Sequence, residues 1–456
     1  MDRPGKKKAA AIHQEIAQEV DRLLAVIFAE RRKTGRLDLE AIEMAVRAAM
    51  HRGGSACLTQ LLQQQSPAER SRPCPCGAKA QYREMRSKSI LTAVGSAQVL
   101  RPYYRCPRCH RGQFPADQVL DVEGTEFSPG VRRMLSVVGS DSSSFQQGRQ
   151  QMELLAGLTV TAKAVERVAE AIGADIAECE QAQQQHVVQL ELPAAVGQAV
   201  PVMYVEMDGT GVPMVSKETE GRAGKHAGQQ ARTREVKLGC VFTQTTLDDK
   251  GHAVRDPQST TYTAAIETAA DFSRRICSEA AQRGWSRARK QVVIGDGAEW
   301  IWNLVGEQFP GAIEIVDLFH ARQHLWGLAA KLYPSDEAQK RRWLLKHQHL
   351  LDEGQIEKLV GALWALSRDH PALEPTTQTE ANYFQRNRER MRYPQFRRQG
   401  LFIGSGVVEA GCKTVIATRL KRSGMFWTRR GANAIIALRC CRLSGKFEDY
   451  WEARRA

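Results

Sequence analysis

Three acidic residues stand where strands or helices could bring carboxylates together. Asp208 ends the stretch Val205-Glu206-Met207-Asp208 and is followed by Gly209-Thr210. Asp296 ends Val292-Val293-Ile294-Gly295-Asp296 and is followed by Gly297. Each is expected at the end of a strand, where glycine turns the chain and leaves the carboxylate open. Glu409 lies in Gly404-Ser405-Gly406-Val407-Val408-Glu409-Ala410-Gly411-Cys412-Lys413. Ser405 is placed to cap a helix, and Lys413, four residues past Glu409, is expected on the same face. Singly, an Asp-Gly is an ordinary turn and a Glu–Lys pair an ordinary surface feature. Together they suit phosphodiester chemistry. Two Mg²⁺ ions about 4 Å apart activate a water and stabilise the leaving oxygen. Mg²⁺ takes hard oxygen ligands and keeps several waters, so three carboxylates suffice, with Mn²⁺ a workable substitute. Glu206 and Glu299 are rival ligands near the two aspartates, and Glu380 and Glu389 fall in the long gap before Glu409.

Four cysteines make a second constellation. Cys74-Pro75-Cys76-Gly77 is answered by Cys106-Pro107-Arg108-Cys109, and the alternating stretch Ser89 to Tyr104 between them predicts a hairpin turning near Gly95. Two knuckles on a hairpin are the plan of a zinc ribbon, in which four thiolates hold one structural Zn²⁺. The first knuckle is C-x-C, one residue shorter than usual, and His110 is a possible substitute ligand.

The elements that must position these groups are read from periodicity. Ile12, Ile16, Val20, Leu23, Leu24 and Ile27 predict one helix, and Leu39 to Leu62 a second. Residues 128–185 are again helical. A glycine turn at Gly157 followed by a helix capped at Thr161 outlines a helix-turn-helix. From Val200 the period changes to that of strands. Strands are expected at Val200–Met207, Val236–Thr245, Thr260–Thr263, Gln291–Gly295 and Ile313–Val316, with helices after the third, fourth and fifth. That is the element order of an α/β ribonuclease H-like core. Residues 333–400 predict an all-α insertion before the Glu409 segment. The expected domains are a helical region (1–65), a zinc-ribbon-like module (66–120) and a helix-turn-helix-like region (121–190). The catalytic core follows in two parts, 199–332 and 401–456, around the insertion at 333–400.

The chain of 456 residues has a formal net charge of +14. From Arg386 to Ala456 there are 17 Lys/Arg against 5 Asp/Glu, a surplus of 12. The same segment carries Val407, Val408, Val415, Ile416, Leu420 and the run Ala432–Leu438, so it is read as a folded basic surface for nucleic acid. Lys413, Arg419, Lys421, Arg422, Trp427, Arg429 and Arg430 are the candidate DNA contacts. No apolar run approaches the roughly 20 residues needed to span a bilayer. No signal-peptide core follows the basic start, so an intracellular protein is expected. Eleven cysteines, an odd number in a long chain, argue against a secreted disulfide framework.

The motifs resemble those of bacterial insertion-sequence transposases of the DDE class. Asp208, Asp296 and Glu409 resemble the DDE triad. Gly295-Asp296-Gly297-Ala298-Glu299-Trp300-Ile301-Trp302 and Gly404-Ser405-Gly406-Val407-Val408-Glu409 look like the Kra branch. Asp317-Leu318-Phe319-His320 resembles the D-x-x-H signature of members with a helical insertion, which implies that Asp317 and His320 support the site from behind the metal ligands. The resemblance spans about residues 200–440. It implies Mg²⁺-dependent cleavage of double-stranded DNA at element ends, strand transfer into target DNA, a homodimer or larger assembly, and a place on the bacterial nucleoid in the cytoplasm. The alternative is a non-catalytic DNA-binding protein retaining a transposase fold, or a structure-selective nuclease of that fold. An intact triad favours catalysis, and the cysteine module and insertion favour the transposase.

Overall fold

The computed structural model describes residues 3–34, 38–63, 69–188, 200–224 and 228–454. The expected boundaries at 65–66 and 190–199 lie outside them. The chain forms two compact units, Met1–Ala169 and Glu170–Ala456.

The first unit opens with two helices, α1 (Arg3–Thr34) and α2 (Leu39–Leu62). Asp38 caps α2 by accepting from Ala41 N, and Arg52 on α2 reaches Glu19 on α1 at 2.8 Å. A four-stranded antiparallel sheet follows: β1 (Ser71–Pro73), β2 (Lys79–Thr92), β3 (Gly95–Arg105) and β4 (Gly112–Gln113). The β2–β3 hairpin is longer than periodicity indicated and turns at Gly95, whose φ of 105° suits glycine. Then come α3 (Pro115–Val119), α4 (Pro129–Asp141) and α5 (Phe145–Gln151), which widens into a π turn at Met152–Ala156. Gly157 ends it in the left-handed region, and Thr161 Oγ1 accepts from Ala164 N at the start of α6 (Ala162–Val188).

The second unit is built on a five-stranded mixed sheet. Its strands are β5 (Val200–Pro213), β6 (Thr233–Gln244), β9 (Thr261–Ala265), β10 (Ala288–Gly295) and β11 (Ile313–Val316), in the order β11-β10-β5-β6-β9. A small ribbon of β7 (Thr246–Leu247) and β8 (Ala253–Val254) sits between β6 and β9 in the chain. The β5–β6 and β6–β9 pairs are antiparallel, and β10 pairs in parallel with β5 and β11. Val236 to Phe242 are buried without alternation, as are Val292 to Gly295. Continuous burial of that kind requires helices on both faces.

Those helices are α7 (Ala269–Gln282) and α8 (Glu299–Gln308) on one side of the order, then α9 (Leu318–Leu332). On the α7 face, an added Cβ at Gly239 would lie 2.5 Å from Ile276 Cδ1. Residues 337–398 form α10 (Glu337–Asp352), α11 (Ile356–Asp369), α12 (Glu374–Arg386) and α13 (Tyr393–Arg398). The chain then returns to the sheet through α14 (Gly406–Gly411), a π segment (Cys412–Ala417) and α15 (Thr418–Leu420), and ends with α16 (Arg429–Leu443) and α17 (Phe447–Ala453).

The strand limits differ from expectation at one telling place. β5 does not end at Met207. It pairs with β6 through Asp208↔Leu238 and Gly209↔Lys237 to Pro213↔Thr233. Asp208 therefore sits inside a strand, not at its close. The Asp-Gly pair does not turn because Gly209 is extended and lies flat against Glu235, whose Oε1 a Cβ there would approach to 2.5 Å.

Helix α6 meets α16 through Gly173, where an added Cβ would lie 2.0 Å from the Ala434 carbonyl oxygen. Gly173→Ala is expected to destabilise the protein by about 1–3 kcal/mol, since backbone must move. Gly306→Ala, in α8 with nothing within 4 Å of the new methyl, is expected to stabilise by about 0.5–1 kcal/mol. Urea unfolding midpoints of the two variants check the contrast.

Candidate active site and cysteine centre

The site follows from strand alternation. Residues 206 and 208 point to the same face of β5. In the parallel β5–β10 ladder the last pair is Glu206↔Ile294. The strand β10 ends at Gly295, and Asp296 follows it directly, close enough for its charge to act on Asp208. Helix α14 covers that face of β5. Gly411 permits its close approach, for a Cβ there would lie 2.8 Å from the Tyr262 ring and 3.0 Å from Leu238 Cδ2. Glu409 is exposed on that helix, beside the strand face that carries Asp208.

Two buried carboxylates lock α14 in position. Glu206 accepts from Val408 N at 2.8 Å. Burial pushes its carboxyl up to about 8; the Val408 N–H draws it down and the charge of Asp317 raises it. Asp317, 1% exposed, ends β11 and caps α9. Its Oδ1 accepts from His320 N at 2.8 Å, and its Oδ2 accepts from both the N–H and the hydroxyl of Ser405 at 2.5 Å. Ser405 was expected to cap the Glu409 helix with its side chain. It occupies the N-cap position without that bond, because its hydroxyl is spent on Asp317.

Asp208 Oδ1 accepts from Gly209 N at 2.6 Å, and Oδ2 accepts from the Cys412 thiol at 3.3 Å. Burial raises the Asp208 carboxyl above its ordinary value. Cys412 and Gly209 pull it back, the charge of Asp296 pushes it up, and His320 lowers it. Asp296 Oδ1 accepts from Ala298 N at 2.9 Å, an Asx turn made possible by Gly297 at φ 94°. The insertion reaches this turn. Tyr383 on α12 donates its hydroxyl to Asp296 O at 3.0 Å and stacks on His324, ring centroids 3.9 Å apart. His324 Nδ1 lies 2.8 Å from Glu380 Oε2, and its ring meets His320 edge-on at 5.3 Å.

The rival acids are engaged elsewhere. Glu206 is buried under α14, Glu380 holds His324, and Glu389 pairs with Arg392 at 2.9 Å. Glu299, with its side chain 78% exposed, stands 4.0 Å from Arg386. Asp208, Asp296 and Glu409 are not drawn into one tight ligand cluster. Among the described residues the one set of such side chains with all ligand atoms within 4.8 Å of one another is the four cysteines.

Sequence reasoning missed Cys412 and Tyr383. Cys412 lies four residues past Val408, on the side of the helix that faces β5, so its thiol meets Asp208 while Lys413 stays exposed. The basic list needs two corrections. Arg419 is wholly buried, its guanidinium 5.1 Å from the centre of the Trp427 ring, and Trp427 is 6% exposed with its indole N–H on Leu420 O. Both are interior groups and unsuited to gripping DNA. Lys413, Lys421, Arg422, Arg429 and Arg430 are exposed. The exposed aromatic of this stretch is Phe426.

Cys74, Cys76, Cys106 and Cys109 form a centre that could bind zinc. Three of their Sγ–Sγ separations are 3.5 Å, near the roughly 3.8 Å edge of a tetrahedron with Zn–S bonds of about 2.3 Å. The Cys106 thiol is held down to about 6 by the backbone N–H of Cys109, and by that of Arg108 against the opposing effect of burial. Cys74 is drawn down by the Cys76 N–H, yet burial and the neighbouring sulfurs carry it up to about 11. His110 is not one of the cluster. It stands at φ 57° and closes the second knuckle with its N–H on Cys106 O at 3.0 Å, a turn position rather than a ligand.

The sequence profile of the uncharacterised protein family UPF0236 matches residues 76–454. The chain belongs to that family. A curated relative from Streptococcus gallolyticus, named UPF0236 protein in vanSb 3'region, is 25% identical over 350 residues, 74% of this chain and 68% of its own length. A solved structure entitled Drosophila P element transposase strand transfer complex is matched at 11% identity over 71% of this chain and 80% of that one, with a TM-score of 0.23. A score that low does not establish a common fold. No helix among the described residues is long and apolar enough to cross a membrane.

Two outcomes are expected. Purified protein will carry about one zinc per chain by elemental analysis, and Cys106→Ser will lose it. Asp317→Ala, which strands the Ser405 N–H and uncaps α9, will cost on the order of 3 kcal/mol in a urea titration.

Proposed function

We propose that this UPF0236 protein is a DNA transposase of the DDE class, of the Kra branch, with Asp208, Asp296 and Glu409 as its catalytic acids. The observation that supports the reading is the parallel pairing of β5 and β10, whose last pair, Glu206↔Ile294, stands two residues before Asp208 and Asp296, under a helix fastened through Glu206 and Cys412. The sheet order supports a ribonuclease H-like core: three antiparallel strands, then two added in parallel through helices.

The donor set fits Mg²⁺ or Mn²⁺. It is made of carboxylate oxygens, and the mutual repulsion of Asp208 and Asp296 is what a divalent cation would relieve. Asp208, Asp296 and Glu409 would together hold the two ions. When bound, the ions supply an activated water or 3′-hydroxyl and charge neutralisation at the scissile phosphate. The chain's own residues do the rest. Tyr383 and Gly297 fix the Asp296 turn, Cys412 orients Asp208, and Asp317 with His320 braces the frame from behind. Lys413, Lys421, Arg422, Arg429 and Arg430 would hold phosphates of double-stranded DNA, at element ends and then at target. The cysteine module, as a zinc ribbon, and the α5–α6 helix-turn-helix would read the ends. Bringing two ends together calls for a homodimer or larger, acting on the bacterial nucleoid.

The test is cleavage of DNA bearing the element's own ends, with Mg²⁺ and with Mn²⁺. Asp208→Ala, Asp296→Ala and Glu409→Ala are each expected to lower cleavage by about 10³-fold or more while retaining DNA binding, since several kcal/mol of transition-state stabilisation go with the metal site. Cleavage surviving Glu409→Ala moves the third ligand elsewhere. A wild-type protein that binds the ends and never cuts them defeats the catalytic reading and leaves a DNA-binding protein.

A further inference from the structure

A second cationic site lies further along the strands that carry Asp208. Beyond that residue β5 and β6 run on as a hairpin, with Val212 paired to Arg234. The connection between them returns Arg222 toward Arg234, and the start of α16 brings Arg429 and Arg430 to the same place. A cavity of about 810 Å³ opens among these four arginines.

The arginines are close enough to oppose one another. Burial, then the charges of Arg222 and Arg429, hold the Arg234 guanidinium below its ordinary value, with Glu218 acting the other way. Glu218 is already shared: its Oε2 is 3.6 Å from Arg234 and its Oε1 accepts from Arg429 N at 3.0 Å. Four further carboxylates line the cavity, Glu178 on α6 and three that are ion-paired. Glu235 pairs with Lys237, Glu267 with Arg275 at 2.7 Å, and Asp271 with Arg274 at 2.5 Å. Solvated surface arginines spread apart, because like charges in contact cost free energy. A cluster held together by the fold against that repulsion is a site for a polyvalent anion.

The neighbouring cavity adds an aromatic group. It is lined by Phe426, 63% exposed, and shares Glu235 with the first. Trp427 behind it is buried and fixed by its bond to Leu420 O, so Phe426 is presented on an anchored base. An exposed ring in a cavity that adjoins one lined by guanidinium groups suits an unstacked nucleotide, the ring taking the base and the arginines the phosphates that follow it along the strand.

We propose that Arg222, Arg234, Arg429 and Arg430, with Phe426, form a second DNA-contact site that grips the sugar-phosphate backbone of a strand leaving the carboxylate centre. The four residues from Asp208 to Val212 span about 13 Å of strand, so the site lies a few nucleotides from the scissile phosphate. It rests on the reading of the chain as a DNA-acting protein for its ligand, but not on catalysis.

The test therefore omits divalent metal. Binding of a fluorescein-labelled duplex with a single-stranded overhang is measured in EDTA over a series of salt concentrations. Arg222→Ala, Arg234→Ala and Arg429→Ala are each expected to reduce the slope of log K against log salt by about 0.7–0.9, one phosphate contact apiece, and the triple variant by the sum. Arg398→Ala, exposed on α13, serves as a control for general charge loss and should shift the slope by less. Phe426→Ala should weaken binding of the overhang DNA about tenfold and leave the slope unchanged, with blunt duplex little affected. An unchanged slope in a folded triple variant overturns the site and leaves the catalytic reading standing. Wild type that binds neither DNA overturns both. ATP competing at the concentration of overhang nucleotides that suffices would reassign the arginines to a free nucleotide and overturn the DNA site.

Discussion

The carboxylate of Asp317 is the interaction on which the second unit depends. It stands at the end of β11, where the sheet is finished, and some eighty residues of helix intervene before the chain comes back. Asp317 receives that return. Its two oxygens cap α9 with one bond and hold Ser405 with two more. A buried acid is tolerated only when its polar atoms are hydrogen-bonded, and three donors meet these two oxygens. Asp317 N is itself bonded to Gly295 O, one residue before Asp296. One residue, through its backbone N–H and its carboxylate, thus links the strand end before Asp296, the first turn of α9 and the segment leading to Glu409.

From that clamp the spacing of the acids follows. With Ser405 fixed, α14 starts over β5, and Glu206 fastens its first turn through Val408 N. Glu206 and Asp208 share a strand face but have opposite fates. The first is covered and pushed toward its neutral form by burial, so that it serves as a structural hydrogen-bonding group. The second keeps a polar neighbour in Cys412 and a like charge in Asp296. Two residues along one strand, the fold has set apart an acid that supports the helix and an acid that keeps polar and charged neighbours.

Much of the core was legible because its signals were redundant. At consecutive positions, Val292-Val293-Ile294 and Leu238 to Phe242 carry no charged or hydrogen-bonding side chain other than a thiol, as a doubly covered strand requires, and the chain order of strands and helices then restricts topology. The cysteine centre was legible from paired spacing alone. What stayed hidden depended on geometry with no local mark. Asp208-Gly209 looks like a turn, and only pairing with β6 makes it strand. Cys412 meets Asp208 across 204 residues of sequence, and nothing local to either residue marks the contact. Tyr383 sits 87 residues from Asp296, in an insertion whose sequence carries no sign that it touches the site.

Charge was the least faithful guide, and the reason is physical. Net charge counts every guanidinium alike, whereas a fold uses arginine for two purposes. Its planar head can satisfy several carbonyls at once. Arg439 does so, donating to Val415 O at 2.7 Å and also to Thr414 O and Thr418 Oγ1, and it is 7% exposed. Arg390, Arg392 and Lys446 are matched to Glu314, Glu357 and Glu279. Many of the C-terminal cations are therefore mortar between the insertion, the sheet and the last helices. The charges left to meet a polyanion are those whose side chains the fold leaves outside and unmatched, and they must be found by subtraction of the paired and buried ones. That subtraction turns a diffuse basic tail into a few local clusters, each of which can be tested by itself.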